Sequence, residues 1–134
     1  MNLNPHEAAF IESFVKDERK ERAALMLSNA KKRKKFVQEF AHHGTYILRP
    51  ECLKSIEPSQ RNAESLHAML RHLGAPDTCY VISEGDLDGK EVNLLAALKE
   101  TIGRGIGTVI SCIPGRLGYF EGELRERFIL QRSP

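Results

Sequence analysis

The feature that most constrains the fold is a long stretch without a helix breaker. Between Pro5 and Gly44 the chain contains no other proline or glycine. Asn4 is a favourable N-cap, proline suits the first helical position, and Glu7 stands at the capping-box position. Gly44 is a typical helix stop. The sequence therefore predicts an N-terminal helical arm over residues 1–44.

The arm is predicted as either one long helix or two helices that meet near Ser28 and Asn29, which are both good N-cap residues. A second helix that began there would place the run Lys31–Lys35 in its first turns. The helix macrodipole disfavours a cation there by about 0.3–1 kcal/mol at most. An unbroken helix would remove this conflict, and so would an anion bound at the N-terminus of the second helix.

Residues 45–134 alternate between β-rich runs and amphipathic helical patterns. The predicted elements are a short strand Thr45–Leu48, a helix Pro58–Leu73, a strand Thr78–Ser83, a helix Gly89–Ile102 capped by Asp88, a strand Thr108–Ile113 and two strands in the segments RLGYF and RERFIL. A strand–helix–strand unit normally has parallel strands with a right-handed crossover. We therefore expect the strands Thr78–Ser83 and Thr108–Ile113 to be parallel neighbours and the later strands to be antiparallel.

These elements predict an α+β (mixed α/β) fold. The 134 residues are enough for one domain with a single sizeable core, so we expect one domain over 1–134. In this domain the helical arm, 1–44, is followed by a β-α-β-β-β mixed sheet with helices packed on it, 45–134.

The composition is that of a soluble globular protein, with 41% hydrophobic and 28% charged residues. No basic residue precedes the first apolar run, so we expect no secretory signal. No apolar run approaches the roughly 20 residues that span a bilayer. The sequence therefore predicts a cytoplasmic protein that does not act at a membrane.

The three cysteines, Cys52, Cys79 and Cys112, are far apart in the sequence and no two form a C-x-x-C pair. Zinc knuckles and thioredoxin-type motifs are thereby excluded, and reduced, buried thiols are expected. The histidines also lack the spacing of a zinc pair. We therefore predict no metal and no cofactor.

The basic run Lys31, Lys32, Arg33, Lys34 and Lys35 is the first candidate site. Residues 1–50 carry a net charge of +4 and residues 51–134 one of −2, so an anionic partner is expected at the N-terminal end. Five consecutive helical residues point all round the axis and do not form one stripe. A solvated helix face, an acidic protein surface and a nucleic acid all remain open.

The acidic turn EGDLDGKE is the second candidate site. Glu84, Asp86 and Asp88 alternate in the manner of oxygen ligands for a divalent ion, but position 12 of a calcium loop would be Leu95. The Pro-Asp followed by Asp-x-Lys pattern of metal nucleases is spelled by Asp77, Asp88 and Lys90. Because Asp88 is better explained as a helix cap, we predict a turn here and keep a metal-dependent hydrolase of phosphoesters as an alternative.

The segment Ser111–Glu123, SCIPGRLGYFEGE, is the third candidate site. Cys112 and Arg116 have the wrong spacing and context for a thiolate phosphatase, and Pro114–Gly115 is the expected centre of a type II turn. We therefore predict a β-hairpin. Its exposed face is expected to present a polar and aromatic patch formed by Arg116, Tyr119, Glu121 and Glu123.

If the two central strands are parallel, their carboxyl ends would bring Cys112 beside the turn Glu84–Asp88. Each catalytic template fails on spacing or context, so the leading hypothesis is a non-catalytic binding or interaction module. Phe10, Phe14, Leu25 and Phe36 on the arm predict burial against a second copy of the chain. We therefore expect a protein partner and a homodimer formed through the N-terminal helices.

Overall fold

The computed structural model describes residues 3–124 and 126–132. The helices are α1 (Pro5–Phe14), α2 (Asp17–Leu27), α3 (Ala30–Ile47), α4 (Ala63–His72) and α5 (Leu94–Thr101). The strands are β1 (Leu53–Ser55), β2 (Thr78–Ser83), β3 (Glu91–Asn93), β4 (Thr108–Ile113), β5 (Leu117–Glu121) and β6 (Arg127–Gln131). Short 3-10 turns lie at Pro50–Cys52 and Pro58–Gln60.

The strands form one sheet in the order β1-β6-β5-β4-β2-β3, and each of these pairings is antiparallel. The α+β class and the N-terminal helical region are therefore confirmed. The sheet has helices on both faces. The arm, α1 to α3, packs on one face through Phe10, Phe36 and Phe40, and α4 and α5 pack on the other through Leu66, Leu70 and Leu98.

The expected parallel pairing of β2 and β4 is wrong, and with it the mixed sheet. Ser83 pairs with Thr108 and Tyr80 with Ser111, so the two strands run in opposite directions. The cause is β3, which was predicted as the first turn of a helix. This short strand reverses the chain between β2 and α5, and the helix then returns it to the opposite end of the sheet.

The arm consists of three helices, and the boundary at Ser28–Asn29 is one of the two arrangements predicted. Asn4 caps α1 by accepting a hydrogen bond from the His6 amide, and Asn29 caps α3 by accepting from the amides of Lys31 and Lys32. A further break separates α1 from α2. There Val15 adopts an extended conformation and forms an isolated β-bridge with Leu48.

The expected helix stop at Gly44 and the strand Thr45–Leu48 are both wrong. Helix α3 continues to Ile47, with a kink at His43. Gly44 has a packing role, because a Cβ built on it would overlap the ring of the fully buried Phe120. The glycine lets the helix approach the sheet, so it reflects close packing and not helix termination.

Asp88 does not cap a helix at Gly89. Helix α5 begins at Leu94, and its cap is Asn93, whose side chain accepts a hydrogen bond from the Ala96 amide. Helix α4 is likewise shorter than the predicted helix Pro58–Leu73, since the first residues form the 3-10 turn. The strands β2, β4, β5 and β6 lie where the sequence predicts them.

Most of the apolar arm residues that suggested a dimer are buried in the core of the chain itself. Phe10, Phe14 and Phe36 are each at most 3% exposed and lie in the core between the arm and the sheet, whereas Leu25 is 55% exposed. Only Leu25 among the four residues that suggested a dimer is thus available to a partner. No helix in the described ranges is long and apolar enough to cross a bilayer.

Candidate functional site

The five residues of the basic run point in three directions. Arg33 turns inward, while all four lysines are exposed. Lys32 and Lys35 line a groove between α2 and α3, and Lys31 and Lys34 do not. The run is therefore split between a partly buried structural cation and two differently placed pairs of surface lysines.

Arg33 is the centre of a partly buried ionic network. Its Nη1 lies 2.6 Å from Glu7 Oε2, and its Nε and Nη2 donate to the two carboxylate oxygens of Asp88 at 2.8 and 2.9 Å. Glu7 also accepts a 2.7 Å hydrogen bond from the Tyr80 hydroxyl. The bidentate bond to Asp88 is the main cause that raises the pKa of Arg33. The network ties α1, α3, β2 and the acidic turn together.

This network also reduces the unfavourable interaction between the basic run and the helix macrodipole at the start of α3. Asn29 satisfies the free amides there without bringing a charge. Glu7 and Asp88 place two carboxylates against Arg33, in the first turn of the helix, where the macrodipole favours negative charge. The four lysines remain uncompensated, because none of them forms an ion pair among the residues described.

His6 extends the network toward β4. Its ring stacks on Tyr80 with a centroid separation of 5.5 Å, and Nδ1 lies 2.7 Å from the hydroxyl of Ser111. Burial lowers the pKa of His6 despite the opposing influence of Glu91. The contact between His6 and Ser111 is the last one of the network on the side of β4. Ser111 is only 5% exposed, so its hydroxyl is not accessible as a nucleophile.

The acidic turn is built from hydrogen bonds within the chain. Asp88 accepts from the Ser83 amide as well as from Arg33, and Glu84 accepts from the Gly107 amide at 3.1 Å. Asp77 and Glu84 lie at opposite ends of β2, about 20 Å apart for a six-residue strand. The described residues contain no group of three or more His, Cys, Asp or Glu side chains placed to hold a metal ion.

The predicted hairpin is present, but its predicted exposed face is wrong. Gly115 has a φ of 71°, and the Arg116 amide donates to the Ile113 carbonyl, as a type II turn at Pro114–Gly115 requires. Tyr119 and Glu121, however, are at most 1% exposed. Helices pack on both faces of the sheet, so the face of β5 that was predicted to be exposed is also buried. Arg116 stays exposed.

Glu121 holds the loop GRGIG in place. Its carboxylate accepts hydrogen bonds from the amides of Gly103 and Gly105 and a 2.8 Å bond from the Tyr119 hydroxyl, and Arg127 Nε lies 3.6 Å away. Burial raises the pKa of Tyr119, which keeps the hydroxyl protonated as a donor. Glu123 lies nearer the surface, 2.7 Å from His42 Nδ1.

The expected meeting of Cys112 with the acidic turn does not occur. Because β2 and β4 are antiparallel, Glu84 lies beside Gly107 at the start of β4 and Cys112 lies toward the other end. Cys112 is buried beside Cys79, and desolvation raises the pKa of each thiol to about 12. Neither thiol is a nucleophile at neutral pH.

The best candidate for a functional surface is the α2–α3 groove. It consists of two concavities, of about 490 and 650 Å³, that share Arg22. Arg22 forms a 2.6 Å ion pair with Glu39 and so connects the two helices across the groove. The first concavity is lined by Glu18, Glu21, Arg22, Leu25, Met26, Lys32 and Lys35, and the second by Arg19, Arg22, Glu39, His43, Tyr46 and Ile47.

The groove combines cationic rims with exposed apolar side chains. Leu25 is 55% and Tyr46 66% exposed, which makes them two of the four large hydrophobic residues that the described ranges expose. Lys32 and Lys35 were predicted for an anionic partner and Leu25 for contact with a second copy of the chain, but Arg22 and Tyr46 were not recognised from the sequence. Leu25 lies in the apolar second half of α2, where Met26 and Leu27 are buried and Leu25 is exposed.

Comparison with known proteins found no matching family model, no similar curated protein and no similar solved structure.

Proposed function

We propose that this protein is a non-catalytic binding module and that the α2–α3 groove takes an acidic segment of a partner protein. The observation that carries the proposal is the position of Lys32 and Lys35, which have no carboxylate partner among the described residues and border a groove that exposes Leu25.

Electrostatics favour an anionic occupant. Cations near the N-terminus of α3 raise the free energy of the helix by about 0.3–1 kcal/mol each at low ionic strength. An acidic segment bound in the groove would remove this unfavourable interaction with the macrodipole. Clustered cations also accelerate the encounter with an acidic partner.

Leu25 favours a protein as the occupant. A single exposed leucine is common on protein surfaces, but this one lies in a concavity beside the buried Met26, where a partner side chain would exclude water from Leu25. Glu18 and Glu21 on the α2 side would repel a uniformly anionic polymer. A segment with an apolar anchor and acidic residues facing α3 satisfies both conditions.

A non-catalytic role is supported by the way the reactive groups are engaged. The thiols have raised pKa values, and Asp88 and Glu84 are bonded to Arg33 and to backbone. The metal-dependent hydrolase is not supported, because Asp77 and Glu84 lie at opposite ends of β2 and are too far apart to bind one metal ion. Nucleic acid and a second copy of the chain are alternative occupants of the same groove, and both are outcomes of the test below.

The test compares two probes of equal charge by fluorescence anisotropy: a synthetic amphipathic peptide of glutamate and leucine, and a single-stranded DNA oligomer. The double variant Lys32→Glu/Lys35→Glu should weaken peptide binding by about tenfold or more, equivalent to about 1.4 kcal/mol. The matched control is Lys31→Glu/Lys34→Glu, which makes the same charge change on the same helix outside the groove and should weaken binding less. Leu25→Asp should weaken it as strongly as the groove variant.

Three results would overturn the proposal. Equal losses from both lysine pairs would indicate non-specific attraction, and tighter binding of DNA without any effect of Leu25→Asp would favour a nucleic acid. Sedimentation that shows a dimer dissociated by Leu25→Asp would assign the groove to a second copy of the chain.

A further inference from the structure

A second cationic site lies away from the α2–α3 groove. Arg49 follows α3, Lys54 lies in the edge strand β1, and Arg132 follows β6. These three residues border one cavity of about 220 Å³, together with Glu51, Cys52 and Gln131. Two segments that are distant in sequence, residues 49–54 and 131–132, therefore bring positive charge to one place.

Each cation is held in position by one hydrogen bond within the chain. Arg49 Nη2 donates to Asp17 Oδ1 at 2.7 Å, Lys54 Nζ to the Glu51 carbonyl at 3.2 Å, and Arg132 Nη1 to the Ser13 carbonyl at 3.1 Å. An ammonium group has three donors and a guanidinium group has five. The groups are thus oriented but keep unused donors, as a preorganised site requires.

Lys54 and Arg132 have no carboxylate within ion-pair distance among the residues that the structure describes. Of the two carboxylates near the cavity, Asp17 is already paired with Arg49 and Lys20, and Glu51 is exposed. The cavity therefore carries a net positive charge.

The Cys52 thiol shows that the three cations converge. Burial raises the pKa of Cys52 and Glu51 acts in the same direction, while Arg132, Arg49 and Lys54 all act to lower it. The thiol is therefore neutral at pH 7. It contributes an uncharged wall beside the cations and does not compete with a ligand for them.

We propose that the cavity between Arg49, Lys54 and Arg132 binds the phosphate group of a small phosphomonoester. A phosphate dianion offers three acceptor oxygens, which matches three cationic side chains better than the two oxygens of a carboxylate do. The guanidinium groups suit phosphate because they are planar and weakly hydrated. The cavity volume admits the phosphate with a small organic substituent.

The test is a titration of the protein's amide NMR spectrum at constant ionic strength, with inorganic phosphate in one arm and phenyl phosphate in the other. We expect saturable shifts at Cys52, Lys54 and Arg132, and none with sodium chloride. Tighter binding of phenyl phosphate would assign the site to an ester, and equal binding would assign it to free phosphate. The double variant Lys54→Gln/Arg132→Gln should weaken binding at least tenfold.

The matched control is Lys90→Gln/Lys99→Gln, which removes two exposed lysines that do not border this cavity and should leave binding unchanged. Because Lys54 and Arg132 are exposed, the variant is expected to fold, and unchanged amide signals in the rest of its spectrum would verify this. Shifts that do not saturate by about 50 mM phosphate, or that persist in the Lys54→Gln/Arg132→Gln variant, would overturn the proposal.

Discussion

Glu7 and Glu121 are both buried carboxylates, at most 3% exposed, and each accepts a hydrogen bond from a tyrosine. Their surroundings differ. Glu7 lies on the arm side of the sheet and is neutralised by Arg33 at 2.6 Å. Glu121 faces the other side, and two backbone amides stabilise it while Arg127 stays 3.6 Å away.

Glu7 and Glu121 illustrate two ways of stabilising a buried charge, by a cation and by hydrogen-bond donors. Glu7 depends on one cation from another helix, so its cluster acts between elements and fixes the position of the arm. Glu121 depends on hydrogen bonds from a nearby loop and from Tyr119, two residues before it, so its cluster acts locally. A buried carboxylate that loses its sole cation should cost far more than one that retains three hydrogen bonds.

The largest effect is expected from Arg33→Met. This substitution leaves Glu7 buried without a cation, and breaking a buried pair in this way costs about 3–5 kcal/mol of unfolding free energy. Arg127→Met should cost only about 1–2 kcal/mol, because Glu121 keeps its other donors. Urea unfolding followed by circular dichroism measures both. Equal costs would refute the distinction between the two clusters.

The sequence predicted the class of the fold and the position of four strands, because those strands are rich in β-branched and aromatic residues. It did not predict the direction of β4, since Glu91–Asn93 reads as part of a helix and becomes a strand only by pairing with β2. Period-two alternation in β5 suggested one exposed face, but α4 and α5 cover that face. Whether a face of a strand is buried depends on which elements pack against it, and the local sequence pattern does not encode that packing.

The candidate sites were predictable to different degrees. The basic run was visible as composition, and the expectation that it would not form one stripe is confirmed by the inward position of Arg33. The partners of Arg33 were not predictable, because Glu7 and Asp88 lie 26 and 55 residues away and the local roles predicted for them, a capping box and a helix cap, do not indicate an ion pair with Arg33. Long-range ion pairs of this kind follow from the tertiary fold and leave no spacing signal.

A smaller and more local effect is expected from Glu121→Gln. The amide group of glutamine would replace one acceptor oxygen by a donor that faces either the Gly105 amide or the groups bonded to the other oxygen. The cost should be about 1–3 kcal/mol, and the Gly103 and Gly105 amides should exchange faster with solvent. The control is Glu123→Gln, at the nearby surface, which should leave that exchange unchanged. Faster exchange throughout the arm would show that the Glu121 cluster is not local.

The smallest effect is expected from pH, and only at the Glu7 cluster, where His6 stacks on Tyr80. Burial lowers the pKa of His6 in the folded state below the ordinary value of 6.5. The unfolded chain then binds more protons between these two pKa values, so stability is complete above about pH 6.5 and falls as the pH drops below it. His6→Gln removes this titration and can keep the hydrogen bond to Ser111. Between pH 7.5 and 5.5 the urea midpoint of the wild type should therefore fall further than that of His6→Gln, whereas equal falls would mean that His6 is solvated like an ordinary surface histidine.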